Sequence, residues 1–321
     1  MMKYALLFPG QGSQEVGMLG ALAALHPVID DTLREASEVL GYDLLGLIRN
    51  GPTEELNRTQ RTQPALLAAS VAVSRSWQAQ GLPAPMAMAG HSLGEYSALV
   101  VAKALDFGDA LKLVELRGEL MQAAVPQGVG AMAAVIGVDD DVVEKACAAY
   151  DGEGVLEPAN YNAPGQVVVA GHKAAVEWLV ANAKTFGIRK VMPIPVSVPS
   201  HCSMMRGAAA QLGERLKDIA IGAPQIPVLH NLDGQPRSHP DDIRTALIEQ
   251  LYRPVRWVQT IKRLDGDGAT ALLECGPGKV LATINKRIVN VTPGGIASIA
   301  IGEVEGYALA TQLFNAETEQ A

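Results

Sequence analysis

The residues best placed for chemistry lie in Gly90-His91-Ser92-Leu93-Gly94. A short apolar run, Met86 to Ala89, precedes them, and a helical stretch, Glu95 to Ala102, follows. Strand, G-x-S-x-G, helix is the setting of a nucleophile elbow, in which a sharp turn lifts the serine hydroxyl clear of a sheet. Backbones cross too closely there for side chains two positions away, which calls for glycine on both sides. The following helix turns its free N–H groups toward the reacting centre. A chance match in a chain of this composition has an expectation of roughly 0.1, so the pentapeptide alone does not define an enzyme. A base for Ser92 must come from His26, His91, His172, His201, His230 or His239, if it is a histidine. His201 follows a strand where the chain re-enters its larger part, and it is the first candidate, with His230 second. No carboxylate between Ser92 and His201 ends a plausible strand of that part, so the partner of the imidazole need not be a carboxylate; a backbone carbonyl can also hold its N–H.

A second signal lies in the helix predicted from Asp109 to about Ala124. On a helical wheel Arg117 falls among Ala110, Leu113, Val114, Leu120, Met121 and Ala124, while Lys112, Glu115 and Glu119 face away. A guanidinium keeps its charge at any ordinary pH, so burial requires an anion beside it. That anion is either a protein carboxylate or a carboxylate on a ligand.

Elements to position these groups can be read in order. Tyr4 to Phe8 is a buried strand running into Pro9-Gly10-Gln11-Gly12-Ser13-Gln14. Glu15 stands where a dinucleotide fingerprint needs its third glycine, so this loop reads instead as one whose N–H groups face an anion. Residues 17 to 80 read as mostly helical, with Pro64 in the first turn of a buried helix and Gln63 at its mouth. From Ala131 to Val196 the order is β-α-β-β-α-β, a ferredoxin-like unit bounded by glycine- and proline-rich joints. Asn160 and Asn162 are expected in a turn before its third strand. The expected fold is α/β: a hydrolase-like large domain with a parallel sheet, residues 1–127 and 198–321, and an inserted ferredoxin-like small domain, residues 128–197. Ala316 to Ala321 is expected to fray.

Composition narrows the classes. The 321 residues have 48% hydrophobic and 4% aromatic content, with a net charge of −8. Mean hydropathy is +0.14 and the isoelectric point about 5.3. An acidic chain speaks against nucleic-acid binding, and no apolar run is long enough for a membrane span. Cys147, Cys202 and Cys275 are dispersed, with no C-x-x-C, which argues against disulfides or a metal site and for a cytoplasmic location.

Taken together, the stretches around Phe8 to Gln14, Gly90 to Tyr96, Arg117, Asn160 to Gln166, Val198 to His201 and Glu274 to Gly278 resemble the malonyl-CoA:acyl-carrier-protein transacylases of bacterial fatty-acid synthesis. The resemblance covers residues 4 to about 285. It implies a ping-pong serine acyltransferase without a cofactor, in which His201 deprotonates Ser92 and the N–H groups of Gln11 and Leu93 hold the oxyanion. It also implies that Arg117 clamps the malonyl carboxylate, that His201 leans on a carbonyl near Gln250, and that Gln63 lines the pocket. Gln250, Asn160 and Asn162 are further substrate-site candidates. Malonyl-CoA and an acyl carrier protein are the implied partners of a monomer. An acidic carrier needs a local basic patch, for which Arg189, Lys190, Lys286 and Arg287 are the candidates. Alternatives on the same elbow are an acyltransferase of polyketide synthesis or malonate decarboxylase, and a thioesterase or hydrolase. A hydrolase of neutral esters has no use for a buried arginine.

Overall fold

The computed structural model describes residues 2–196, 198–289 and 295–318. In chain order, β1 (Tyr4–Phe8) leads to α1 (Gly20–Leu25), α2 (Val28–Leu40), α3 (Leu44–Asn50), α4 (Thr53–Leu56) and α5 (Thr59–Gln78). Next come β2 (Ala87–Gly90), α6 (Gly94–Val101) and α7 (Phe107–Ala123). A second sheet is built across β3 (Gly130–Ile136), α8 (Asp140–Ala148), β4 (Leu156–Ala163), β5 (Gln166–His172), α9 (Lys173–Asn182) and β6 (Lys190–Ile194). The chain closes with α10 (Arg206–Leu216), β7 (Val228–Leu229), α11 (Pro240–Gln250), α12 (Trp257–Gly266), β8 (Ala271–Glu274), α13 (Val280–Asn285), β9 (Ala297–Ala300) and α14 (Val304–Thr318).

The first sheet is parallel, in the order β7-β2-β1-β8-β9. Its central strands are buried along their whole length, as helices on both faces require. Phe8 pairs with Gly90, and Leu7 with Glu274. The loops after β1, β2 and β8 therefore leave the sheet side by side at its carboxyl edge, where ligands of open parallel sheets collect. The second sheet is antiparallel, in the order β4-β5-β3-β6, with its own apolar cluster around Val135, Val167, Val169 and Leu179. β4 is tied to the loop between α11 and α12, where Val255 N–H donates to Ala159 O and Tyr161 N–H donates to Val255 O, both at 2.9 Å.

Several local expectations change. Asn160 and Asn162 stand on β4, not in a turn. Asparagine's turn preference is local, whereas β4 is extended by pairing with β5 and Val255 from afar, and the turn is displaced to Pro164-Gly165. Register shifts between Pro158 and Asn160 and between Tyr161 and Ala163 mark the irregularity this leaves. Pro64 lies in the second turn of α5, because the helix starts at Thr59. α14 runs to Thr318, so the expected frayed tail is helical over its first part and residues 319–321 lie outside the described residues. Ser197, which ends the predicted small domain, also lies outside them.

The elbow depends on how closely α6 crosses β1. A Cβ on Gly94 would sit 2.0 Å from the Phe8 carbonyl oxygen, and one on Gly90 would sit 1.9 Å from the Gly94 carbonyl carbon. Both obstacles are backbone and cannot swing aside. Gly94→Ala is therefore expected to destabilise the fold by about 3 kcal/mol or more, at or beyond the upper end for overpacked interiors. The check is a lower urea midpoint at unchanged slope; a midpoint equal to the parent's would refute the crossing as the reason for glycine.

Candidate active site

Ser92 sits at the tip between β2 and α6 with φ 51°, in the left-handed region. Its N–H donates to Asn231 Oδ1 at 2.7 Å, and Asn231 Nδ2 donates to Gly90 O at 2.6 Å, so one amide pins both sides of the turn. His201 also has a left-handed backbone, φ 63°, and its N–H donates to Leu251 O at 2.9 Å. Such conformations cost about 1–3 kcal/mol each for residues with side chains, and they persist where surrounding bonds fix them.

The two side chains meet. Ser92 Oγ and His201 Nε2 are 2.7 Å apart, and His201 Nδ1 is 2.7 Å from Gln250 O. A carbonyl only accepts, so Nδ1 carries the proton and Nε2 offers its lone pair to the serine O–H. Burial, and next the Arg117 charge, push the His201 pKa down to about 3. The imidazole is thus neutral at neutral pH and ready to act as a base. The other histidines are engaged elsewhere. His230, the second candidate, is fully buried with Nδ1 2.7 Å from Glu95 Oε1. His91 Nε2 is 2.8 Å from Asn162 Oδ1. His172 Nδ1 accepts from Val155 N–H, His239 caps α11, and His26 packs on Tyr307.

Arg117 is 1% exposed, and it reaches the same point from α7. Asp106 caps that helix by accepting from Asp109 N–H at 3.0 Å. Gly118 lets α7 press on α5, since a Cβ there would lie 2.7 Å from Thr59 O and Gln60 Cα. That approach brings Gln63 within reach: Arg117 Nη1 donates to Gln63 Oε1 at 2.8 Å, and Nη2 to Gln250 Oε1 at 3.0 Å and Ser92 Oγ at 3.3 Å. Among the described residues no carboxylate forms an ion pair with Arg117. Burial draws its pKa downward, opposed by Tyr96 and Glu95. A guanidinium stays protonated through such a shift. The structure thus holds a fixed cation with neutral amide partners beside a serine oxygen.

These groups open on a cavity of about 350 Å³. Gly10, Gln11 and Leu93 line it on one side, and Asn160, Asn162 and Gln166 of the second sheet on another. Val280, Leu281 and Ile284 complete a wall set by Glu274, which accepts from Leu281 N–H at 3.0 Å and Ala282 N–H at 2.7 Å. Burial pushes the Glu274 carboxyl up to about 7. Gln63 is not part of the cavity wall. It and the Gln250 side chain are fully buried behind Arg117 and hold it. Arg189, Lys190, Lys286 and Arg287 are exposed.

Two site residues escaped the sequence reading. Asn231 carries no local signal, because its role exists only once the loop after β7 lies under the elbow. Glu95 did carry one: it is a carboxylate opening an otherwise apolar helix, the mirror of the argument made for Arg117.

A parallel α/β sheet with an elbow serine bonded to a neutral histidine is an arrangement able to carry acyl chemistry on the serine. The chain belongs to the acyl transferase domain family, whose model matches residues 5–308. It is 52% identical to the malonyl CoA-acyl carrier protein transacylase of Escherichia coli over 314 residues, 98% of this chain and all of that one. An acyl carrier protein S-malonyltransferase from Vibrio cholerae superposes with a TM-score of 0.92 at 52% identity, covering 96% of this chain and 99% of its own. A malonyl-transacylase solved in complex with a type II PKS acyl-carrier protein superposes with a TM-score of 0.93 at 49% identity, covering 97% and 99%.

The depressed His201 pKa gives a signed expectation. Unfolded histidine titrates near 6.5, so below that pH the unfolded chain binds a proton that the native site refuses. The contribution of His201 to stability is complete above pH 6.5 and declines as the pH falls from there toward about 3. Replacing His201 with Gln is expected to flatten the loss of urea stability between pH 6.5 and 4; parallel curves for the two proteins would refute it.

Proposed function

We propose that this chain transfers a malonyl group from malonyl-CoA to the phosphopantetheine thiol of an acyl carrier protein, through a malonyl-serine intermediate, in fatty-acid biosynthesis. The observation that carries the reading is Arg117: buried, without a carboxylate partner among the described residues, and 3.3 Å from the Ser92 oxygen. A thioester substrate with a free carboxylate supplies the missing anion and fixes the acyl group against the nucleophile. A hydrolase of neutral esters gains nothing from that cation.

His201 Nε2 takes the Ser92 proton as Oγ attacks the thioester carbonyl. The N–H groups of Gln11 and Leu93 face the developing oxyanion; loss of one such donor typically costs about 100- to 1000-fold. The C–S bond breaks, and the imidazolium returns its proton to the departing coenzyme A sulfur. The phosphopantetheine thiol then gives its proton to His201 and attacks the malonyl-serine. The C–Oγ bond breaks and the proton goes back to Ser92. Gln63 and the Gln250 side chain brace Arg117, while Asn160 and Asn162 border the acyl and pantetheine space.

The domain reading is a hydrolase-like large domain, 1–127 and 198–321, with residues 128–197 inserted as a ferredoxin-like unit. The strand order β4-β5-β3-β6 of the second sheet supports it. The protein acts as a cytoplasmic monomer; among the described residues no helix is long and apolar enough to cross a membrane.

A basic surface formed by Arg189, Lys190, Lys286 and Arg287 receives the acidic carrier. Ile136 pairs with both Gln166 and Lys190, and Arg287 donates to the Gln166 side chain and to Pro164 O. These contacts support a common location at one end of the second sheet, next to the cavity that Gln166 lines. Reversing Arg189, Lys190 and Lys286 to Glu is expected to raise the carrier KM about tenfold at low salt, less at high salt, with kcat retained. Unchanged carrier kinetics would remove the surface from the reading.

Intact mass after brief mixing with malonyl-CoA and acid quench tests the chemistry. The parent is expected to gain a malonyl adduct that moves to added carrier protein, and Ser92→Ala none. Arg117→Ala is expected to acylate at least about 30-fold more slowly, since removing one partner of a buried charge pair costs about 2–5 kcal/mol. An adduct released as free malonate would mean a hydrolase, and an Arg117→Ala variant as fast as the parent would make the arginine structural.

A further inference from the structure

Glu95 takes no part in the steps above, yet it is fully buried one turn beyond the nucleophile. Three donors converge on it. His230 Nδ1 lies 2.7 Å from Oε1, Asn231 N–H donates to Oε2 at 2.9 Å, and Gln250 Nε2 donates to Oε2 at 3.0 Å. Gln250 Nε2 also donates to Ser92 O at 3.0 Å, and Gln250 Oε1 accepts from Arg117 Nη2 at 3.0 Å. The polarity of that amide follows from its surroundings. A carboxylate and a carbonyl, which only accept, face one end, and a guanidinium, which only donates, faces the other.

We infer that Glu95 is a positioning residue for the malonyl carboxylate: by fixing the Gln250 side-chain amide with its oxygen toward Arg117, it aligns the guanidinium that receives the acyl group. The inference rests on the proposed role of Arg117. Arg117 is braced by two neutral amide oxygens, and the Gln63 amide has a weaker restraint at its other end, where Nε2 lies 3.5 Å from Met121 Sδ. The Gln250 amide is thus the better-anchored brace, and Glu95 is one of its two anchors. The same carboxylate holds the Asn231 backbone, whose side chain pins Ser92. Cation and nucleophile are thereby referenced to one buried anion.

A double-mutant cycle on malonyl-CoA acylation, read by intact mass, tests this. Glu95→Met removes the acceptor at nearly constant volume and is expected to slow acylation about 10- to 100-fold when Arg117 is present. In an Arg117→Ala background the same change is expected to cost at least about fivefold less, because the cation it positions is gone and only its hold on the Asn231 loop behind Ser92 remains to be lost. Glu95→Gln can still accept from Asn231 and Gln250 once His230 moves its proton from Nδ1 to Nε2, and it is expected to stay within about fivefold of the parent. Equal losses in both backgrounds, no loss with Arg117 present, or a Gln variant as slow as the Met variant would each overturn the inference. Should Glu95→Met not fold, Gln250→Met takes its place in the cycle with the same expected non-additivity; it keeps the backbone carbonyl that holds His201. Should Arg117→Ala alone acylate as fast as the parent, the substrate reading fails instead.

Discussion

The surroundings of Ser92 hold one guanidinium out of water. Taking Arg117 out of solvent is costly unless its donors are met and an anion stands near. The fold meets the first condition in part, with two glutamine oxygens from α5 and α11 on the terminal nitrogens while Nε stays unpaired, and leaves room for the second in the cavity. A protein carboxylate in direct contact would make the site more comfortable when empty and less able to take a substrate carboxylate. Glu95 is one amide removed, close enough to balance charge and too far to compete.

That arrangement also sets the state of His201. Burial and, after it, the nearby cation disfavour imidazolium, so the ring stays neutral without an acidic partner. A backbone carbonyl suffices to fix its tautomer, since it needs to accept only one hydrogen bond. Gln250 therefore serves the base through its main chain and the cation through its side chain. One helix terminus registers both halves of the site.

The left-handed backbones of Ser92 and His201 belong to the same economy of positions. Each is held by an N–H bond to a residue remote in sequence, Asn231 and Leu251 respectively. Local preference would not choose these conformations; the packed loops at the carboxyl edge impose them. The second sheet adds the far wall and is held to the loop before α12 through Val255, so several distant segments share the cavity lining.

Motifs whose cause is local were legible in the sequence. The strand-serine-helix elbow needs glycine where backbones cross, and Gly90 and Gly94 declare it. The helical period alone turned Arg117 inward. The β-α-β-β-α-β order gave the second sheet, and the spread of histidines singled out His201, which the packed chain sets 2.7 Å from Ser92 Oγ. Contacts between distant segments decided the rest. Asn160 and Asn162 became strand residues because β5 and Val255 extend β4. Gln63 went behind Arg117 instead of into the pocket wall because Gly118 lets α7 close on α5. Asn231 and Glu95 found their roles only when the loop after β7 came to lie beneath the elbow. A sequence records the preferences of each short stretch, but a buried polar group takes its partners from whatever the packed chain brings within 3 Å, and that is settled only in three dimensions.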